Sequence, residues 1–322
     1  MNKGNKIFGI DISKDTFDVV DSDGKYYQFS NNFKHFLKFL KLLDSNSQCV
    51  MEATGYYHYQ LAYFLVEHNI KVSVENPLSI KRFIQMKLSK IKTDKSDARM
   101  ICLYGQQMDL KPWQNPSANQ LECLQMLSVL DVYTKQSTAL QNKIQSHGVL
   151  SNPSKAVVNS LKRSLRNLQK EMTLIEENLA NLVKSEYQQT LTKLQSIPGL
   201  GRKTAIMLLV VTDGFNRFES ASQLCSYTGL TPVIRQSGTS IHGKARISKI
   251  GNAKLRSLLF MCSLTACKHN KACREIFERI TNKGKSKKLA LMAVCNKLIK
   301  QAFAIAKSNL EYDAAYQSVL KN

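Results

Sequence analysis

The N-terminal part of the chain alternates short apolar runs with amphipathic stretches. Residues 6–20 are rich in β-branched and aromatic side chains, and Asp23-Gly24 then supplies a turn into KYYQFSN, which predicts two paired strands. Apolar positions between 36 and 43 recur at helical spacing, residues 59–67 also predict a helix, and CVMEA and KVSVENP predict further strands. Strands that alternate with helices predict an α/β domain over residues 1–115.

The middle of the chain, residues 116–190, has a different pattern. Strand signals almost vanish, and apolar residues follow a 4-3 spacing at Leu161, Leu165, Leu168, Met172, Ile175, Leu179 and Leu182. This heptad pattern predicts a coiled coil that pairs either with residues 121–150 or with another subunit. An amphipathic helix packed on a core is the alternative.

Residues 191–322 predict a third, all-α region. Its helices are interrupted by IPGLG, TDGFNRF and RQSGTSIHGKAR, and apolar spacing predicts helices from Asn252 to His269 and from Leu289 to Lys307. NKGKSKK, between those two helices, predicts a solvated basic loop. The predicted fold class is therefore α/β plus all-α.

Composition narrows the class of partner. Lys and Arg outnumber Asp and Glu 46 to 24, which gives a formal charge of +22 and favours a polyanion such as nucleic acid, with anionic lipid as the alternative. The eight cysteines form no CxxC pair or zinc pattern, which predicts reduced, mostly buried thiols. No signal-peptide core or uninterrupted membrane-length apolar run is present, so we expect a cytoplasmic protein with no membrane partner.

Four acidic residues are candidates for metal-dependent chemistry. Asp11 lies in the first apolar run, Glu52 ends CVME, and Asp94 and Asp97 share one face of a starting helix. Phosphodiester chemistry uses such clusters because carboxylates hold hard divalent cations that activate the attacking oxygen and stabilise the leaving one. Taken singly, Asp94 is equally explained as a helix N-cap, and Asp97 as an ion-pair partner.

Two C-terminal motifs suggest phosphate contacts. LQSIPGLGRKTAIMLL predicts a helix-hairpin-helix, in which Gly199 and Gly201 open the turn, a helix N-terminus offers N–H groups to a phosphate, and Arg202 and Lys203 add charge. A plain structural hairpin is the alternative. In the polar loop that follows, Ser237, Thr239 and Ser240 all carry hydroxyls, and residue chemistry alone does not choose a nucleophile among them.

The order of these motifs resembles a known family. GIDxSK, the acid after CVM and TDxxDAR resemble RuvC-like nucleases of the RNase H class, and the later SG…ISKxGN…LR motif makes the chain similar to the Piv-like DEDD transposases of the insertion-sequence 110 family. The resemblance spans nearly the whole chain, is weakest in the predicted coiled coil, and shows no departure at the five proposed catalytic positions.

The resemblance implies a specific mechanism. It implies an N-terminal RuvC-like domain in which Asp11, Glu52, Asp94 and Asp97 hold Mg²⁺ or Mn²⁺. It also implies that Ser237 is the nucleophile that forms a covalent serine–DNA link. Arg235, Lys244 and Arg246 would then neutralise the phosphate. The family also implies donor and target DNA, a bridge-type non-coding RNA, a homodimer or tetramer, and a cytoplasmic, nucleoid-associated bacterial protein.

Three other functions are compatible with parts of the sequence. A RuvC-like junction-resolving endonuclease would use metal-activated water in place of Ser237. A phosphotransferase of the actin and sugar-kinase fold would suit FGIDISKDT, but no later DxG strand or glycine-rich adenosine loop follows. A nucleic-acid-binding protein without catalysis would bind without metal and cut no strand.

Overall fold

The computed structural model describes residues 6–53, 55–233, 246–308 and 310–315, together with the backbone of 236–237 and 241–242. The chain divides into two compact units, Met1–Pro116 and Ser117–Asn322. Nearly all of the predicted middle region therefore clusters with the C-terminal unit.

The N-terminal unit contains a five-stranded mixed sheet in the order β3-β2-β1-β4-β5. The strands are β1 (Lys6–Ile12), β2 (Thr16–Asp21), β3 (Tyr26–Ser30), β4 (Ser47–Glu52) and β5 (Lys71–Glu75). β1, β2 and β3 are antiparallel, whereas β4 and β5 run parallel to β1. The prediction of two strands before residue 32 is wrong by one, because Ser13 and Thr16 close a tight turn inside the first apolar run.

Four helices belong to this unit: α1 (Phe33–Leu40), α2 (His58–Glu67), α3 (Pro77–Met86) and α4 (Asp94–Gln107). In α1 the buried residues are Phe36 and Phe39, whereas Leu37, predicted on the apolar face, is 42% exposed. The strand predicted over KVSVENP ends early, because Asn76 caps α3 and Pro77 occupies its first position.

The helices cover both faces of the sheet. One face packs Phe8, Ile10 and Phe17 against aromatic and aliphatic side chains of α1 and α2. The other packs Ile7 and Val50 against apolar side chains of α3 and α4. This layered α/β arrangement is consistent with the predicted RNase H-like domain.

The C-terminal unit is mainly helical. Its helices are α5 (Ala118–Gly148), α6 (Lys155–Gln195), α7 (Arg202–Thr212), α8 (Ala221–Tyr227), α9 (Ala253–His269), α10 (Lys271–Asn282) and α11 (Lys287–Lys307). Their shared core includes Leu209, Phe215 and Leu298, each of which is fully buried. The two helices predicted from apolar spacing correspond to α9 and α11, and α10 lies between them.

The two longest helices, α5 and α6, pack against each other within the chain. All seven heptad residues of α6 are buried or half-buried. The less exposed residues of α5 also follow a 3-4 spacing, at Cys123, Met126, Leu130, Tyr133, Ser137, Leu140, Ile144 and His147. The helices therefore form an intrachain hairpin, and a supercoil between them stays a prediction. Non-helical backbone at Tyr187 kinks α6.

The polar segment between α8 and α9 contains short strands that the sequence did not predict. β6 (Pro232–Val233) pairs antiparallel with β9 (Arg246–Ile247), and β7 (Gln236–Ser237) pairs antiparallel with β8 (Ile241–His242). The sequence predicted a polar loop between helices here, and the structure adds these short ladders to it. Two-residue ladders lack the apolar alternation from which longer strands are predicted.

α11 is long and apolar enough to cross a membrane by length and composition, with a mean hydropathy of 1.4. Its apolar residues, among them Val294, Leu298 and Ala302, are buried in the core of the C-terminal unit. Packing of this kind is that of a core helix.

All eight cysteines carry free thiols and seven of them are buried, which confirms the prediction of mostly buried thiols without disulfides.

Candidate active site

Strand pairing aligns acidic residues across the sheet of the N-terminal unit. Asp11 pairs with Asp18 of β2, and Glu52 pairs with Glu75 of β5. Glu52 follows Met51, the last residue of β4 that pairs with β1. Because side chains alternate between faces along a strand, Asp18, Asp11, Glu52 and Glu75 form one row on the face that α4 covers.

The first turn of α4 adds two more carboxylates to this face. The side chain of Thr93 accepts a hydrogen bond from the backbone N–H of Ser96, and the Ser96 hydroxyl accepts one from the N–H of Thr93. Thr93 is therefore the N-cap, and Asp94 is the first helical residue. Asp97 forms no ion pair within 4.0 Å among the described residues, so neither alternative role suggested by the sequence applies.

Two glycines allow α4 to lie unusually close to β1. A Cβ atom on Gly9 would lie 2.1 Å from the backbone nitrogen of Cys102 and 2.4 Å from the carbonyl oxygen of Ala98. A Cβ atom on Gly105 would lie 2.8 Å from Ile7 and from Val50. Gly9 and Asp11 share a face of β1, so the same close contact brings the start of α4 toward Asp11.

The electrostatics of Asp11 reflect this convergence. The pKa of Asp11 is raised to about 6, first by burial and then by the charges of Asp97, Asp94, Glu52 and Asp18, in that order of effect. Carboxylates from two strands, β2 and β4, and one helix, α4, thus act on Asp11. Such a raised pKa is typical of acids assembled at a functional site.

The two outer acids of the row are each held by a tyrosine. The Tyr26 hydroxyl donates to Asp18, which also accepts a hydrogen bond of 3.1 Å from the Gln28 side chain. The Tyr104 hydroxyl donates to Glu75 at 3.2 Å. Sequence reasoning missed both acids, since only the strand register places them beside Asp11 and Glu52.

The acidic row has the donor chemistry of a divalent-cation site. Carboxylate oxygens are the ligands that Mg²⁺ and Mn²⁺ prefer, and a cation would relieve the repulsion that contributes to the raised pKa of Asp11. Within the described residues, no group of three His, Cys, Asp or Glu side chains already has the spacing of a metal-ligand shell. The acidic row nevertheless fits a divalent cation by its carboxylate ligands and its negative charge.

In the C-terminal unit, IPGLG forms a tight turn between α6 and α7. Gly199 has φ +94°, and a Cβ atom there would lie 2.6 Å from the backbone of Ala266 in α9. Gly201 is the N-cap of α7 with φ −71°, and a Cβ atom there would meet open space. The first glycine thus permits the turn and its contact with α9, whereas the second leaves room at the helix N-terminus.

The two basic residues after this turn differ in their surroundings. Arg202 and Lys203 are both exposed, but the Lys203 ammonium lies 2.8 Å from a carboxylate oxygen of Glu176 in α6. Beside the turn lies an open cleft of about 410 Å³, lined by residues of the turn and of α9. The backbone N–H groups of Arg202 and Lys203 have no partner within the described part of the chain.

The structure does not describe most of the predicted serine site. Arg235 and Lys244 lie outside the described residues, as does the side chain of Ser237, whose backbone belongs to β7. Arg246 is exposed at the start of β9. The nucleophile and its basic neighbours therefore stay predictions.

Comparisons with known proteins match both units. A profile for IS110-type DEDD transposases, described as transposase, matches residues 8–152, and the profile described as "Transposase IS116/IS110/IS902 family" matches residues 191–278. A pilin gene-inverting protein of Moraxella lacunata is 30% identical over 95% of this chain and 97% of its own length. The chain belongs to the IS110 family of transposases.

Other members are similar over most of their length. A pilin gene-inverting protein of Moraxella bovis is 29% identical over 95% of this chain and 97% of its own. The transposase for insertion sequence element IS1111A of Coxiella burnetii is 25% identical over 94% of this chain and 86% of its own. Membership makes this chain an enzyme that acts on DNA, and the DEDD type implies divalent metal ions.

Proposed function

We propose that this IS110-family transposase cuts and rejoins DNA through a covalent serine–DNA intermediate, with a divalent cation held by Asp11, Glu52, Asp94 and Asp97. The observation that carries the proposal is the convergence of acids from β2, β4 and α4 on Asp11 of β1, whose pKa they help to raise to about 6. The cation, Mg²⁺ or Mn²⁺, would supply positive charge beside the reacting phosphate.

Ser237 is the proposed nucleophile. Its Oγ forms a bond to phosphorus as the phosphodiester bond to the adjoining nucleotide breaks, and the serine proton ends on the released hydroxyl. A hydroxyl on another strand then attacks the phosphoserine and restores the serine. The first step conserves the energy of the broken bond, so no external energy source is needed for rejoining.

Basic side chains and N–H groups would hold the DNA backbone during these steps. Gly199 and Gly201 support this role because they shape the turn before α7, where the first N–H groups have no partner in the described part of the chain. Arg202 is exposed, whereas the charge of Lys203 is partly neutralised by Glu176, which lies 2.8 Å from its ammonium group. We assign Arg235, Lys244 and Arg246 to the phosphate that Ser237 attacks, where charge builds during transfer.

The partners of the reaction are proposals as well. Donor and target DNA follow from family membership, and the names of the Moraxella relatives support inversion of a DNA segment as one outcome. A bridge-type non-coding RNA as guide, a homodimer or tetramer as the active form, and action at the cytoplasmic nucleoid follow from the resemblance. Sequencing the RNA that copurifies with the chain, and measuring its mass by light scattering, would test the first two.

A protease-sensitivity assay tests the serine mechanism. The purified protein with its copurified RNA is incubated with Mg²⁺ and plasmids carrying the element ends and a target. Reactions are then run on denaturing gels with and without proteinase K. We expect a retarded DNA species that protease releases, its loss in Ser237→Ala and Asp11→Asn, and its retention in the matched hydroxyl variants Thr239→Ala and Ser240→Ala.

The second candidate is a junction-resolving endonuclease that uses metal-activated water. The acidic row favours it, because clustered carboxylates suit hydrolysis as well as transesterification. Protease-insensitive free ends, formed equally by the wild type and by Ser237→Ala, would support this candidate and exclude the covalent serine.

A further inference from the structure

A basic segment precedes the acids of α4. Five cations and no acid lie between residues 81 and 92, and Lys95 and Arg99 follow within α4. All seven are exposed, and none forms an ion pair within 4.0 Å among the described residues: Lys81, Arg82, Lys87, Lys90, Lys92, Lys95 and Arg99. This concentration of exposed positive charge is suited to a polyanion.

Large apolar side chains are exposed within the same segment. Met86, Leu88 and Ile91 are 65%, 82% and 69% exposed. Leu88 has φ +54°, a left-handed conformation that is uncommon for a leucine. Single exposed apolar residues are ordinary, but three within six positions, interleaved with lysines, are typical of a surface that contacts another molecule.

The segment lies close to the acids of α4 because it directly precedes them in the chain. Thr93 caps α4 immediately after it, and Asp94 follows. Asp94 lies three residue steps after Ile91, a distance of at most about 11 Å along an extended chain. That is roughly the length of three stacked nucleotides in one strand. A strand bound at the acids therefore lies within reach of the segment.

We propose that residues 86–92, here called the wedge segment, bind the DNA strand beside the phosphate that is cut. Lys87, Lys90 and Lys92 contact its phosphates, and Leu88 and Ile91 pack against bases that the contact unstacks. Apolar side chains inserted at base steps open DNA in this manner in other DNA-binding proteins. The inference rests on the proposed function, because it places the cut strand at the acids of α4.

The first test separates the two kinds of contact by salt dependence. Binding of fluorescent DNA is measured by anisotropy over a range of salt, in chelator so that no strand is cut. The triple variant Lys87→Gln, Lys90→Gln, Lys92→Gln is expected to lower the slope of log K against log salt by about 2 to 3. The double variant Leu88→Ser, Ile91→Ser is expected to weaken binding with the slope unchanged.

The second test reports unstacking directly. DNA that carries 2-aminopurine beside the cut site should brighten on binding wild-type protein, since unstacking relieves its quenching. The signal should be lost in Leu88→Ser, Ile91→Ser and retained in Val149→Ser. Val149, at the end of α5, is also 82% exposed and provides a matched apolar control.

Matched lysines provide the charge control. Lys34, Lys38 and Lys41 are exposed on or beside α1, which packs on the opposite face of the sheet from α4. Their triple exchange to Gln should leave the slope unchanged. An equal fall in slope for both triple variants, or an undiminished 2-aminopurine signal in the Leu88 and Ile91 double variant, would overturn the proposal.

Anionic lipid is the competing ligand for such a surface. Vesicle binding that the Leu88 and Ile91 exchanges abolish, with both DNA readouts unchanged, would also overturn the proposal. The proposed function fails by a different signature, the absence of a protease-sensitive adduct. Because the wedge assays require no cleavage, the two failures are distinguishable.

Discussion

The two units use charge in opposite ways. The N-terminal unit aligns carboxylates on one sheet face, where burial and mutual repulsion raise the pKa of Asp11 to about 6. The C-terminal unit instead presents exposed Arg202, and a Lys203 engaged by Glu176, beside a glycine turn. The acidic row is suited to a cation, whereas the exposed Arg202 is suited to a phosphate.

The difference shows how each site is built. The acidic row depends on pairing between strands far apart in sequence and on the close contact of α4 with Gly9. The turn at Gly199 lies within one short motif, with a single distant contact at Ala266. Changes at the two glycines should therefore damage the units to different extents.

The largest effect is expected for Gly9→Ala. The new methyl group would overlap the backbone of Ala98 and Cys102, so β1 and α4 must separate. We expect a loss of at least about 3 kcal/mol in the free energy of unfolding, together with loss of divalent-cation binding. Urea denaturation would measure the free energy of unfolding, and calorimetric titration would measure cation binding. Gly148→Ala, where a Cβ atom meets open space, should cause no loss, and equal stability of the two variants would contradict the packing argument.

A smaller effect should separate the two glycines of the turn. Residue 199 has a left-handed backbone conformation, and Gly199→Ala places a methyl group against Ala266. We expect the free energy of unfolding, measured by thermal denaturation, to fall by about 2 kcal/mol. Gly201→Ala should be nearly neutral for folding, because its φ is ordinary and its surroundings are open. If Gly201→Ala destabilises the protein as much as Gly199→Ala does, the division of roles is wrong.

The outer acids of the row should tune cation affinity. Asp18→Asn removes a charge that acts on Asp11 while keeping an acceptor for Tyr26. We expect about tenfold weaker Mn²⁺ binding by calorimetry, the usual scale for a group that supports metal ligands. Asp21→Asn is the control, since Asp21 is also buried on β2 but alternates to the opposite face. Unchanged affinity in Asp18→Asn would restrict Asp18 to a structural role.

The smallest effect is a pH dependence in the metal-free protein. The folded state raises the pKa of Asp11 from 3.8 to about 6, so ionisation of Asp11 costs stability as the pH rises through this window. Asp11→Asn should therefore be more stable than the wild type by about 1 kcal/mol at pH 7, allowing for solvent screening. Urea denaturation in chelator should show the gap closing toward pH 4. A gap independent of pH would indicate another cause.

Much of the acid site was accessible from local sequence. The apolar run around Asp11, the short strand ending at Glu52 and the i, i+3 spacing of Asp94 and Asp97 are local patterns, and each predicted the correct type of element. The α6 heptads likewise predicted a long helix with an apolar seam. Ser237, by contrast, came from resemblance alone, because a hydroxyl in a polar loop has no chemical signature of its own.

Local sequence specifies which groups are available, and contacts between distant elements select the groups that act together. Strand register added Asp18 and Glu75 to the row, and the approach of α4 to Gly9 explains why Asp94 and Asp97 act on Asp11. Ser137 and His147 lie in the α5 seam although neither is apolar. These features depend on contacts between residues distant along the chain, whereas periodicity and spacing report only on neighbours.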